Sequence, residues 1–130
     1  MDFQSNLAKL DGLDFKGLYQ NDFFLTWDKS EEELKAVLAV ADALRALREN
    51  NKSCRIFDSG LGISLFRDNS TRTRFSYASA CNFLGLEEQV FDEGKSQVAH
   101  GETVMETANM ISFMADVIGI RDDMYIGKGH

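Results

Sequence analysis

The 130-residue sequence predicts an α/β fold, an open parallel sheet flanked by helices. Three observations carry this. Short segments that read as strands occur at 61–66, 89–92 and 117–121. Helical segments, 71–84 and 102–114, separate them. Polar residues suited to ligand chemistry follow directly after each strand. The order strand–helix–strand–helix–strand makes βαβ units and a parallel sheet. Right-handed crossovers bring the strand C-termini to one edge, and open α/β sheets bind ligands there.

The first 29 residues carry aromatics without a clean period (Phe3, Phe15, Tyr19, Phe23, Phe24, Trp27). They are expected to form a short helix and a lead-in that packs on the domain, which then runs over 30–130. Ser30 and Glu33 make a Ser-x-x-Glu capping pattern. Leu34, Val37, Leu38, Ala41, Leu44 and Leu47 follow at helical spacing, so 31–50 is an amphipathic helix ended by Asn50-Asn51-Lys52-Ser53. Leu61 to Phe66 is a short apolar run after Gly60 and reads as a buried strand. Thr71 to Leu84 is rich in Ala and apolar residues, with Gly85 placed to end it as a helix. Gln89 to Asp92 is the second strand, and Glu93 to Gly101 a polar loop. Glu102 to Met114 is the next helix, with Val104, Ala108 and Ile111 expected to face inward. Val117 to Arg121 is the third strand. The convergence of strand ends predicts one site built from three segments: Ser70 to Arg74, Lys95 to His100, and Arg121.

Composition narrows the function classes. A hydrophobic share of 44% with 27% charged residues is ordinary for a folded domain. No apolar run approaches the roughly 20 residues of a membrane helix. The N-terminus lacks the basic start and apolar core of a secretory signal. A net charge of −7 argues against nucleic acid or an anionic membrane as partner. Cys54 and Cys81 form no CxxC pair and read as buried thiols of a cytoplasmic protein. His100 and His130 have no paired ligands at metal spacing, so neither metal nor cofactor is expected.

An acidic chain that binds an anion must concentrate positive charge locally, and Ser70-Thr71-Arg72-Thr73-Arg74 does so where a strand hands over to a helix. The first helical turn has unsatisfied N–H groups and a positive dipole end, which stabilise a phosphate. Hydroxyls and guanidiniums add forked, charge-assisted bonds. A generic Arg-x-Arg belongs more often to a solvated helix start. The alternation of hydroxyl and Arg at a strand end favours a small phosphorylated ligand instead. Other phosphate signatures fail. Gly94-Lys95-Ser96 has Gln89 where a P-loop needs Gly, and Gly60-Leu61-Gly62 has Leu65 where a dinucleotide fingerprint needs its third Gly.

Phe66-x-x-x-Ser70-Thr71-Arg72-Thr73-Arg74-x-Ser76-Tyr77 resembles the signature of the aspartate and ornithine carbamoyltransferases. Gln97-Val98-Ala99-His100-Gly101-Glu102-Thr103 resembles the loop before that family's third helix. Ala108 to Arg121 resembles the helix itself and the strand after it. The resemblance covers about 24 to 121. Within the family, 67–77 and 92–97 resemble the YgeW-type transcarbamylases. Asp68 stands where the signature has Glu or Lys, and Ala78 where most members have Glu.

The resemblance implies the three-layer, N-terminal carbamoyl-phosphate-binding domain of a carbamoyltransferase, working in the cytoplasm within a homotrimer. It implies that Ser70, Thr71, Arg72 and Thr73 bind the phosphate, and that Thr73 and Arg121 also approach the carbonyl oxygen. Arg72, Thr73 and Arg121 are the implied catalytic groups. Gln97 would reach carbamoyl phosphate from the neighbouring subunit, with His100 a further candidate. The acceptor would be an amino-acid-like amine. Family members carry a second, amine-binding domain with a His-Pro-x-Gln segment, absent from these residues, so the chain alone is expected to be inactive. The alternative is a truncated, non-catalytic phosphate-binding or oligomer-assembly module.

Overall fold

Strand β1 (Leu61–Phe66) is the centre of the sheet. In the computed structural model, which describes residues 2–67, 70–93 and 101–122, β1 pairs in parallel with β2 (Glu87–Val90) and with β3 (Val117–Arg121). The order is β2-β1-β3. Register sets Leu61 against Glu87 and Ser64 against Val90 on one side, and Gly62 against Val117 and Phe66 against Arg121 on the other. The last residues of β1 and β3 therefore lie side by side at the edge where α3 (Thr71–Leu84) begins.

By its contacts the chain forms two units, Met1–Cys54 and Arg55–His130. In the first, α1 (Phe3–Ala8) is capped by the Asp2 carboxylate and packs on α2 (Glu31–Glu49). The expected capping box is present: the Ser30 hydroxyl accepts from Glu33 N at 3.1 Å, and Glu33 accepts from Ser30 N at 2.8 Å. Asn51 adopts φ 54°, and Lys52 N donates to Leu47 O at 2.8 Å, which ends the helix. The buried positions of α2 are Ala36, Ala43 and Ala46, whereas Leu38 is 64% exposed.

In the second unit, β1 buries Gly62, Ile63 and Ser64 beneath α3. Gly85 ends α3 in the left-handed region at φ 100°, and Leu86 N returns to Cys81 O at 2.8 Å. The chain then enters β2 at once. This is why β2 begins at Glu87, two residues ahead of the expected 89–92. Ser64 Oγ donates to Glu88 at 2.7 Å, so a polar residue of β2 packs on the central strand. Helix α4 is Val104–Met114 rather than 102–114, because Thr103 and Glu106 form a capping box that fixes its start. The expected inward face is also corrected. Val104 is 73% exposed, Ala108 is exposed and Ile111 half-buried, while the buried residue is Thr107, which donates to Glu102 at 2.7 Å.

Tyr77 ties α3 to the sheet. Its ring lies so close to Gly119 that a Cβ there would come within 2.5 Å, and its hydroxyl donates to Ile63 O at 2.9 Å. Burial pushes the phenol up from 10.0 to about 12, with the neighbouring Cys81 adding to the rise. A folded-state value above the unfolded one means that the stability tied to this proton is complete below pH 10.0 and lost as pH rises toward about 12. Thermal melts across that window are expected to fall more steeply for the wild type than for Tyr77→Phe. Equal slopes would show that Tyr77 does not drive the loss.

Candidate functional site

Ser70 is extended, at φ −69° and ψ 104°, and caps α3. Its Oγ accepts from Thr73 N at 3.4 Å and lies 2.9 Å from Thr73 Oγ1. The first helical bond runs from Arg74 N to Ser70 O at 3.2 Å. The N–H groups of Thr71 and Arg72 precede it, in the turn where a helix offers unsatisfied donors and its positive end.

Arg121, the last residue of β3, donates from a guanidinium nitrogen to Thr73 Oγ1 at 2.5 Å. Ser70, Thr73 and Arg121 thus form one hydrogen-bonded chain across the β1–α3 junction, although Arg121 is 48 positions from Thr73. Thr71 and Arg72 ride on the same turn and are exposed. Among the described residues the Arg72 side chain makes no hydrogen bond or ion pair. Arg74 turns back instead, donating to Phe66 O at 2.7 Å, and so secures the end of β1. Two of the three expected segments are brought together. Gln97 and His100, in the third, lie outside the described residues.

The arrangement offers an incoming anion hydroxyl and guanidinium donors at a helix N-terminus. Such donors are strongest toward phosphate oxygens or an oxygen gaining negative charge. Among the described residues no group of three His, Cys, Asp or Glu is placed to hold a metal ion, and no helix is long and apolar enough to cross a membrane.

One cluster escaped the motif reading. Arg67 follows β1 and joins two carboxylates. Its Nε and one terminal nitrogen donate to Glu93 at 3.1 and 2.6 Å, and the other nitrogen donates to Asp122 at 2.8 Å. Hydrogen bonding to Glu93, reinforced by both negative charges, holds the Arg67 guanidinium well above its ordinary pKa. Opposite charges just past the ends of β1, β2 and β3 were the available signal.

Comparison with known proteins bears on the family and the fold. Residues 21–130 match the family described as aspartate/ornithine carbamoyltransferase, carbamoyl-P binding domain. "Putative carbamoyltransferase YgeW" of Escherichia coli strain K12 is 70% identical over 113 residues, which is 87% of this chain and 28% of that protein. The chain therefore spans less than a third of that relative's length. The catalytic subunit of aspartate transcarbamoylase from M. jannaschii is 30% identical with a TM-score of 0.66, covering 76% of this chain and 33% of that one. Aspartate transcarbamoylase from Trypanosoma cruzi, solved in complex with carbamoyl phosphate, shares the fold at a TM-score of 0.73 and 22% identity, over 82% of this chain and 33% of that one.

Proposed function

Since the chain belongs to the aspartate/ornithine carbamoyltransferase family and matches its carbamoyl-phosphate-binding domain, we propose that it binds carbamoyl phosphate at the N-terminus of α3. The wider proposal is that it serves as the carbamoyl-phosphate half of an enzyme that carbamoylates the amino group of an amino-acid-like acceptor. The observation that carries this is Thr73, hydrogen-bonded to Ser70 on one side and Arg121 on the other.

In the proposed reaction the amine nitrogen attacks the carbonyl carbon. A carbon–nitrogen bond forms, the carbon–oxygen bond to phosphate breaks, phosphate leaves with the electron pair, and the proton lost by the amine nitrogen goes to the departing phosphate or to solvent. Negative charge grows on the carbonyl oxygen and on the leaving group. Ser70, Thr71 and Arg72 hold the phosphate oxygens. In this reading Thr73 and Arg121, hydrogen-bonded to each other, serve both the phosphate and the carbonyl oxygen. Fixed donors at such places lower the barrier because they need no reorganisation as charge develops.

A homotrimer in which Gln97 enters the neighbouring site belongs to the same proposal, as does a cytoplasmic setting. The free thiols Cys54 and Cys81 support the latter. Calorimetric titration of the chain with carbamoyl phosphate is expected to give saturable binding that inorganic phosphate displaces. Adding amino-acid acceptors is expected to yield no ureido product from these residues alone, because the chain spans only 28% of the YgeW relative. Absence of carbamoyl phosphate binding from the folded chain would overturn the proposal.

A further inference from the structure

We propose that Arg67 is a positioning residue for phosphate recognition, joining the ends of the three strands so that Arg121 is held beside Thr73. The inference rests on the phosphate-binding reading above and assigns a role to a residue outside the motif.

Arg67 stands just past β1, the central strand. Its side chain holds Glu93, which follows β2, and Asp122, which follows β3. Its backbone N–H donates to Arg121 O at 3.0 Å. Arg121 is therefore fixed twice from the same residue, through its own carbonyl and through the side chain of its neighbour. Strand ends fray when nothing holds them. Here the guanidinium of Arg121 must reach Thr73 on another element, and a displaced β3 terminus would lose that bond.

The side chains of Arg67, Glu93 and Asp122 are 30%, 34% and 25% exposed, so solvent screens this cluster less than it screens a fully exposed pair. The fork matters as much as the charge. A planar guanidinium presents donors to two carboxylates at once, which the single ammonium of Lys does not. A second effect of Arg67 is electrical, since it offsets two carboxylates near a site meant for an anion. The two effects separate experimentally.

The test is calorimetry of the chain with inorganic phosphate. Arg67→Lys keeps the charge and loses the fork, and is expected to weaken binding about 3- to 10-fold. Arg121→Ala is expected to weaken it as well. The double variant is expected to bind no more weakly than Arg121→Ala alone, because Arg67 acts through Arg121. Additive losses, or an unchanged affinity in Arg67→Lys, would overturn the proposal. If Arg67→Lys melts below the assay temperature, Asp122→Asn carries the test. Weaker binding then supports positioning, and tighter binding, from removal of a negative charge, overturns it. Arg72→Ala separates the two readings. If it binds phosphate normally, the site assignment itself fails. If it binds weakly while Arg67→Lys is unaffected, only the positioning role fails.

Discussion

Replacing Arg72 by alanine is expected to weaken binding of carbamoyl phosphate and of phosphate by roughly 10- to 100-fold. The figure follows from the value of a charge-assisted hydrogen bond, about 1.5–3 kcal/mol. Arg72 is exposed in the first turn of α3, and among the described residues its side chain makes no hydrogen bond or ion pair. Its removal therefore leaves no buried partner unsatisfied, and the melting temperature is expected to stay within about a degree or two, as for surface changes generally. Arg74→Ala makes the contrast. Arg74 donates to Phe66 O, so its loss is expected to lower stability. Equal phosphate affinity in wild type and Arg72→Ala would remove Arg72 from the site.

Gly85→Ala is expected to destabilise the second unit by about 3 kcal/mol or more, a large part of the roughly 5–15 kcal/mol that holds a domain folded. Gly85 has φ 100°, which disfavours any side chain. Space is the larger obstacle. A Cβ at this position would stand 1.9 Å from Phe57 O and 2.9 Å from Phe57 C, both backbone atoms. Phe57 N in turn donates to Leu84 O at 3.0 Å, so moving this segment aside breaks a bond to the helix end. Gly12→Ala is the control, since a Cβ there meets nothing within 4 Å. Denaturant unfolding of both variants measures the difference. A loss below about 1 kcal/mol for Gly85→Ala, the size of an ordinary substitution, would refute the packing argument.

The elements that sequence revealed were those whose local chemistry punctuates them. Ser70 and Gly85 mark both ends of α3, and the apolar run Leu61 to Phe66 marks the buried strand. The expected β2 starts two residues late because Glu87 and Glu88 look like loop. Three of its four side chains are exposed, so the strand makes little demand for apolar residues. The inward face of α4 was misread for a related reason. Val104 fits the helical period, yet periodicity identifies an apolar stripe without saying what covers it. Within the candidate site, Ser70, Thr71, Arg72 and Thr73 are legible as a group because adjacent residues share one turn. Arg121 is suggested by its place at the end of a strand and by family resemblance. Arg67, Glu93 and Asp122 were not read, since their pairings span 26 and 55 positions and exist only once the strand order is known.

Under the proposed role of Arg121, its pairing with Phe66 ties the strength of anion binding to strand alignment. Side chains on a strand alternate between faces, so sliding β3 by a single residue would turn Arg121 to the opposite side of the sheet. That slip would break its bond to Thr73. A misaligned species would retain its helices and strands, and circular dichroism would barely tell it from the native chain. Phosphate would tell them apart. During refolding, the return of full phosphate affinity is therefore expected to report the locking of β3 into register, beside the dichroism that follows helix and strand content.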